Sequence, residues 1–345
     1  MKTAIDLFCG SGAVTWGLKS AGFHVVGAID FDPVACATYR ANHPEVDLIE
    51  KDIREVAPSQ FADNLRGGGP IDLLAVCAPC QPFSNRNPNR SAKDSRIKLI
   101  LEALRFVEEL QPEIVFFENV PGLKKEAVFK RLSIGLKRMG YHFDEPRKLD
   151  ASDLGVPQRR QRMVLIGTRD SNLLPNTKAI SFTPKQTVYN AIGNLPIPPV
   201  GPQNAEDPLH YARAHTAITL ERLRYIPRDG GSRDALPEQL QLSCHKGRSN
   251  SSFPDSYGRL KWQSVAPTLT TGCTDLTKGR YAHPEQDRAI TLREAARLQS
   301  FPDGYIFKGN ASQVATQIGN AVPPKMMAGI ARTLHAALTH NPYGN

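Results

Sequence analysis

The stretch AIDLFCGSGAVTWGLKSAG, residues 4–22, decides the fold. Its apolar start predicts a buried strand over Ala4–Phe8, and a Gly-Ser-Gly turn follows directly. Residues Ser11–Ala21 can then form a helix that ends before a glycine. Glycines between a strand and a helix let the backbone approach a ligand closely. The stretch therefore predicts the first unit of an α/β sheet that binds a ligand at this turn.

The alternation of strand and helix continues to about residue 168. Apolar runs predict strands at Val25–Ile29, Ile71–Val76, Ile114–Phe117 and Met163–Thr168. The sequence predicts helices at Pro33–Asn42, Ile97–Leu110 and Val128–Met139, and in the second of these the apolar residues recur at helical spacing. Such alternation indicates a mostly parallel sheet with helices on both faces.

The composition changes after about residue 172. Residues 173–285 are rich in Pro, Gly, Ser and Asn, and Leu209–Trp262 carries nine Lys/Arg against five Asp/Glu. This indicates a loop-rich second domain with a basic face, although an inert insertion would look similar. Helical patterns return at Leu292–Gln299 and Pro324–Leu338.

The bulk composition favours an anionic partner and offers no membrane span. The 345 residues carry a formal net charge of +9, which suits nucleic acid. No apolar run reaches the ~18 residues of a transmembrane helix, and the start lacks signal-peptide features. Cys77 and Cys80 have C-x-x-C spacing, but zinc needs two more ligands and the flanking prolines indicate an irregular loop. We therefore expect a cytoplasmic protein without a metal site.

An acidic residue follows the glycine turn at the distance typical of nucleotide-binding sheets. Asp30 ends the second strand, 18 residues beyond Gly12, where a carboxylate can meet a ribose diol. The third glycine of G-x-G-x-x-G is absent, because position 15 is Thr. At this point NAD and adenosylmethionine are both open as ligands.

A cysteine lies just beyond the strand Ile71–Val76, where chemistry collects in open sheets. Cys80 can be a nucleophile if positive charge lowers its pKa, and the basic segment Asn85–Lys98 follows it. A buried structural cysteine is the alternative.

Three charged side chains flank later strands. Glu118 ends the fourth strand, where burial would keep it protonated and able to donate to a ring nitrogen. Arg160 and Arg162 would share one face of the next strand and could hold a carboxylate or a base carbonyl. The alternative for Glu118 is a helix-capping or solvent-facing glutamate, and the alternative for the two arginines is a basic surface run.

Residues Gln317–Pro324 by themselves indicate a loop, with a turn at Gly319-Asn320.

Together, six segments resemble the cytosine-C5 DNA methyltransferase family in its own motif order. They are DLFCGSG (6–12), APCQPFS (78–84), ENV (118–120), QRRQR (158–162), ITLREAARLQSFPD (290–303) and QIGNAVPP (317–324). The departures are small: Cys77-Ala78 precede Pro79 where the family usually has Gly-Pro or Ser-Pro, and Val14-Thr15 replace commoner small or aromatic residues.

The resemblance implies a Rossmann-like adenosylmethionine-dependent methyltransferase sheet with a smaller, loop-rich target-recognition domain. The implied catalytic domain is 1–172 plus 312–345, the recognition domain 173–285, and a bracing segment 286–311. Cys80 would attack C6 of a flipped-out cytosine, Glu118 would bind N3 and the exocyclic amine, and Arg160 and Arg162 would support the O2 side. No metal is implied.

The cofactor implied is S-adenosylmethionine, which leaves as S-adenosylhomocysteine. The residues that the resemblance assigns to it are Phe8, Gly10, Ser11, Gly12, Asp30, Phe31, Asp52, Ile53, Pro79, Asn320 and Val322. Phe8 and Phe31 would pack on the adenine, Asp30 would hold the ribose, and Asn320 with Val322 would close the pocket.

The implied partner is double-stranded DNA. The protein is expected to bind it as a monomer and to be associated with the bacterial nucleoid. A cognate restriction endonuclease that acts independently is a companion the family admits. Transfer RNA is the alternative substrate, since the RNA-acting branch shares these motifs. A NAD-dependent oxidoreductase would leave Cys80 and Glu118 without a role, and a non-catalytic DNA-binding module would be expected to have lost them.

Overall fold

The computed structural model describes residues 1–61, 71–79, 98–175, 180, 183–245 and 255–339. The chain divides into two compact units. The first consists of Met1–Leu154, Gln161–Thr183 and Val322–Asn345, and the second of Gly155–Arg160 and Pro184–Ala321. The assignment of catalytic, recognition and bracing roles to 1–172 with 312–345, 173–285 and 286–311 stays a prediction.

The first unit is built on a sheet with seven strands in the described residues. These are β1 (Thr3–Leu7), β2 (His24–Asp30), β3 (Asp47–Glu50), β4 (Leu73–Val76), β5 (Ile114–Asn119), β6 (Arg147–Asp150) and β7 (Gln161–Thr168). The strand order is β3-β2-β1-β4-β5-β7-β6. The first five strands in this order pair in parallel, whereas β7 is antiparallel to both β5 and β6. The predicted α/β class with a mostly parallel sheet is confirmed.

The helices of this unit follow the predicted strand–helix alternation. They are α1 (Ala13–Ser20), α2 (Pro33–Asn42), α3 (Leu99–Leu110), α4 (Ala127–Arg138) and, near the chain end, α9 (Pro324–Thr339). The start of α2 is set locally, because Asp32 accepts hydrogen bonds from two backbone amides and Pro33 suits the first turn. Gly17 lets α1 approach α9 closely: a Cβ there would lie 2.6 Å from the Cβ of Met327.

The central strands form the core. Every residue of β4 and β5 is buried, as expected for strands covered by helices on both faces. Val76 and Phe117 lie in one apolar cluster with Phe106 of α3 and Leu132 of α4. This packing fixes the carboxyl ends of the parallel strands, where the predicted site residues lie.

The second unit is rich in loops and short 3-10 turns. Its helices are α5 (Val188–Ile192), α6 (Ala217–Tyr225), α7 (Leu292–Leu298) and α8 (Ala311–Asn320). Arg259 is fully buried in this unit and donates to the carbonyls of Leu223 and Ile226 and to the carboxylate of Asp287. A guanidinium with five donors can satisfy loop carbonyls that have no strand or helix partner.

One prediction about local structure needs correction. The turn predicted at Gly319-Asn320 is wrong, because α8 continues to Asn320. That helix begins with a reciprocal capping box between Asn310 and Gln313, a signal overlooked in the sequence. The strands β3 and β6 were not predicted either. In the described parts of the chain, no helix has the length and apolar character needed to cross a membrane.

Candidate active site

The antiparallel strand β7 brings a basic residue to the edge where the parallel strands end. In the pairing of β5 with β7, Glu118 lies opposite Val164 and Asn119 opposite Met163. Because β7 runs in the opposite direction, its first residues stand beside the last residues of β5. Arg162, the residue before Met163, is thereby placed next to Glu118.

Glu118 and Arg162 form a buried ion pair. The Nε of Arg162 lies 2.7 Å from the Oε1 of Glu118, and the two side chains are only 10% and 7% exposed. The guanidinium compensates the charge that the carboxyl group brings into this buried place. The pair also fixes the position of the Glu118 carboxyl group at the end of β5.

The next residue of β5 anchors the segment that leads to Cys80. The side-chain amide of Asn119 donates to the carbonyl oxygen of Ala78 at 3.0 Å, and both groups are buried. Pro79 follows, half-buried. Cys80 itself and the basic segment 85–97 lie outside the described residues. The side chain of Cys77 is partly exposed.

Arg160 has a different environment from Arg162. It precedes β7, belongs to the second unit, and is almost fully buried. Its Nη1 and Nη2 donate to the carbonyls of Leu269 and Gly319, at 3.0 and 2.9 Å. Two of its donors therefore hold backbone beside Asn320, which is the exposed last residue of α8.

The glycine turn after β1 is fastened by Asp30. One carboxylate oxygen accepts from the amide of Gly10 and the other from the amide of Asp32, each at 2.9 Å. Burial raises the pKa of Asp30 above its ordinary value, against the opposing effect of these amides. The turn requires left-handed backbone, with φ of 54° at Gly10 and 90° at Gly12.

The surroundings of this turn fit an adenosylmethionine molecule. Apart from the two chain neighbours of Gly10, no heavy atom of the described residues lies within 4 Å of the position that a Cβ on Gly10 would take, so the backbone there faces open space. Phe31 is 65% exposed, which is unusual for a large apolar ring and leaves its face available for an adenine. The carboxylate of Asp30 precedes it in the chain and could accept from a ribose diol.

The remaining predicted cofactor residues lie in different local environments. Asp52 caps a short 3-10 turn and binds Arg54, whose hydrogen bond lowers the pKa of the Asp52 carboxyl. Ile53 and Val322 are buried, as is Ser11. Phe8 has a φ of 61°, a strained value for a side chain of this size. All of these assignments stay predictions.

Sequence reasoning gave no role to four buried polar residues near the turn. Asp6, Thr15, Tyr39 and His43 are each at most 2% exposed and connected to one another or to the turn. A carboxylate inside an otherwise apolar strand was the available signal for Asp6. In the described residues, no three His, Cys, Asp or Glu side chains are close enough together to hold a metal ion.

Comparison with known proteins gives one consistent result. A family model described as C-5 cytosine-specific DNA methylase matches residues 2–336. The type II methylase M.HgiDII of Herpetosiphon aurantiacus is 37% identical over 342 residues, which cover 96% of this chain and 94% of that protein. The type II methyltransferase M.PspPI of Psychrobacter sp. is 34% identical and covers 98% of this chain and 80% of its own length.

Solved structures agree with this result. An E. coli prophage protein described as a DNA modification methyltransferase superposes with a TM-score of 0.77 at 27% identity, covering 99% of this chain and all of that one. The Entamoeba histolytica methyltransferase EhMeth, at 16% identity and a TM-score of 0.68, shares the fold.

Proposed function

Because the chain belongs to the C-5 cytosine-specific DNA methylase family, we propose that it methylates a flipped-out cytosine through a covalent bond between Cys80 and C6. Family membership makes the chain a DNA cytosine-C5 methyltransferase that depends on S-adenosylmethionine. The resemblance found in the sequence is confirmed. The covalent step, the extruded base and the residue roles are the proposal.

C5 of cytosine is a poor nucleophile, so the ring must be activated by a nucleophile of the enzyme before C5 can take a methyl group. The Cys80 thiolate would add to C6 and move electron density to C5, which then takes a methyl group. Loss of the C5 proton and elimination of the Cys80 sulfur would restore the ring and release 5-methylcytosine. A stacked duplex shields this base, so it must leave the helix first.

The observation that carries this proposal is the cluster at the carboxyl edge of β5. The Glu118–Arg162 pair is buried there, and Asn119 holds the carbonyl of Ala78, two residues before Cys80. The reaction requires a nucleophile next to such a carboxyl group, and Cys80 is the nucleophile we propose. Glu118 would bind N3 and the exocyclic amine of the base, with Arg162 holding the carboxyl group in place.

We assign Arg160 to a supporting role in this scheme. Its two bonded donors serve the carbonyls of Leu269 and Gly319. It would therefore act through the backbone beside Asn320, which is proposed to close the cofactor pocket. Arg162 is the better candidate for direct support of the catalytic carboxyl group.

S-adenosylmethionine would supply the methyl group. The chain would hold its adenine with Phe8 and Phe31 and its ribose with Asp30, while the backbone at Gly10–Gly12 would line the methionine part. The exposed ring of Phe31 and the open space at Gly10 support this assignment. The contacts proposed for Asp52, Ile53, Pro79 and Val322 are carried over from the family.

Double-stranded DNA is the proposed substrate, and the net charge of +9 suits its phosphates. The tRNA alternative has no support from the family model, which is described as a DNA methylase, or from the curated relatives, which are named type II methylases or methyltransferases. A companion restriction endonuclease, a monomeric state and a location at the nucleoid stay predictions.

The decisive experiment compares Cys80→Ser with Cys77→Ser, two cysteines of the same C-x-x-C segment. In the presence of unlabelled cofactor, duplex DNA containing 5-fluorocytosine should trap a covalent complex with the parent enzyme and with Cys77→Ser. Fluorine at C5 replaces the proton whose removal allows the Cys80 sulfur to be eliminated. Cys80→Ser should form no adduct and transfer no methyl group. An adduct that survives in Cys80→Ser would refute the assignment, and labelling of tRNA but not DNA would favour the alternative substrate.

A further inference from the structure

Four buried polar side chains connect the strand β1 to the glycine turn. The hydroxyl of Thr15 donates to Oδ2 of Asp6 at 2.8 Å and lies 2.8 Å from the hydroxyl of Tyr39. The ring of Tyr39 contacts that of His43 with 5.0 Å between centroids, and Nε2 of His43 lies 3.0 Å from the carbonyl oxygen of Gly12. We call Asp6, Thr15, Tyr39 and His43 the buried relay.

The protons in the buried relay have one consistent order. Thr15 has a single hydroxyl proton and gives it to Asp6, so Tyr39 must be the donor in its bond with Thr15. A carbonyl oxygen only accepts, so Nε2 of His43 carries the proton given to Gly12. Burial lowers the pKa of His43 to about 4, which keeps the ring neutral with that one proton near neutral pH.

Thr15 is the centre of the buried relay and a departure from the usual pattern. It occupies the position where G-x-G-x-x-G has its third glycine, a residue that serves close packing of helix on strand. Here a hydroxyl fills that place and joins a strand residue to a residue of α2. The contact fixes α1 from its first turn, where the carbonyl of Gly12 also accepts from the amide of Trp16.

We propose that the buried relay sets the shape of the glycine turn and thereby the affinity for S-adenosylmethionine, with Thr15 as its central positioning residue. This inference rests on the proposed cofactor site. None of the four side chains is assigned a contact with the reacting base. Loss of the relay should therefore weaken cofactor binding and leave the chemical step nearly unchanged.

The test compares Thr15→Val, which removes the hydroxyl at nearly constant shape, with Thr15→Ser, which keeps it. Thr168→Val is the matched control: Thr168 is also fully buried and in the same unit, but its hydroxyl has no hydrogen-bond partner among the described residues. Thr15→Val removes both hydrogen bonds of the Thr15 hydroxyl. It should raise the dissociation constant of S-adenosylhomocysteine, measured by calorimetry, about tenfold, which corresponds to the net free energy of one buried hydrogen bond.

The steady-state constants separate positioning from a general structural effect. The KM for S-adenosylmethionine should rise with the dissociation constant in Thr15→Val, kcat should stay within about twofold, and Thr15→Ser should restore both. Tyr39→Phe should weaken binding as well, and adding it to Thr15→Val should cost little more, because Tyr39 acts through Thr15.

The proposal fails if Thr15→Val binds S-adenosylhomocysteine as the parent does, or loses kcat while KM is unchanged. It also fails if Thr168→Val weakens binding equally. Should Thr15→Val not fold, Tyr39→Phe alone decides, and unchanged affinity in that variant overturns the relay. If the parent protein binds neither cofactor nor product, the proposed cofactor site itself is wrong, which is a different outcome.

Discussion

Replacing Arg162 by Met should strongly destabilise the first unit, because it leaves the Glu118 carboxylate buried without its positive neighbour. At the observed 2.7 Å and an effective dielectric constant of ~20, two unit charges attract by ~6 kcal/mol. Burial of both groups opposes most of this attraction, and breaking such a pair from one side typically costs ~3–5 kcal/mol. We expect the free energy of unfolding to fall by that amount.

Urea unfolding of four proteins measures the coupling: the parent, Arg162→Met, Glu118→Gln and the double variant. The double variant should lose ~1–3 kcal/mol less than the sum of the single variants, since it leaves no unpaired buried charge. The surface pair Arg40–Glu50 has a similar separation of 2.6 Å but side chains 51% and 32% exposed. Arg40→Met should therefore cost less than ~1 kcal/mol.

The refuting result is a loss in Arg162→Met no larger than that in Arg40→Met, together with additive effects in the double variant. Such a result would mean that Glu118 is not held as a charged partner of Arg162. The same proteins can be assayed for methyl transfer, where Glu118→Gln should be inactive whether or not it is stable. Retained activity in Glu118→Gln would contradict the role proposed for its carboxyl group.

Three further predictions concern other parts of the molecule. Burial raises the pKa of Asp6 from 3.8 to about 7, so the stability that the neutral Asp6 side chain contributes is complete below pH 3.8 and is lost, by up to ~4 kcal/mol, as the pH rises through about 7. Asp6→Asn should flatten this decline in the free energy of unfolding, measured with urea across that pH range, and an unchanged slope would contradict the prediction. Gly319→Ala should cost ~1–3 kcal/mol in a thermal unfolding assay, since its Cβ would lie 2.3 Å from the carbonyl carbon of Thr270. Gly304→Ala should be nearly neutral, because beyond its chain neighbours no atom in the described part of the chain lies within 4 Å of the new Cβ. The association constant for duplex DNA should fall steeply and linearly in a plot of log affinity against log salt concentration, and a flat response would argue against a basic DNA-binding surface.

The sequence by itself determined the elements whose signals are local. The helix α2 was predicted at its observed bounds, Pro33–Asn42, and the structure shows that its start is set locally, by an aspartate cap and a proline in the first turn. The buried strands β4 and β5 were found because strands covered on both faces are continuously apolar. The order of six short motifs also sufficed for the family, which the comparisons confirm.

Only the tertiary structure decided which side chains meet. The short edge strand β6, Arg147–Asp150, has no apolar run and is recognised only by its pairing with β7. Glu118 and Arg162 are 44 positions apart, and their contact exists because β7 runs antiparallel to β5, which periodicity along the chain does not reveal.

The same limit explains the two findings least visible in the sequence. Arg160 was predicted to share a role with Arg162, but its hydrogen-bond partners lie 109 and 159 positions away in the second unit. The contact of Thr15 with Tyr39 depends on where α2 packs after β2. Local sequence specifies helices, strands and turns through short-range backbone preferences, whereas these polar contacts are set by the packing of elements that are distant in the chain.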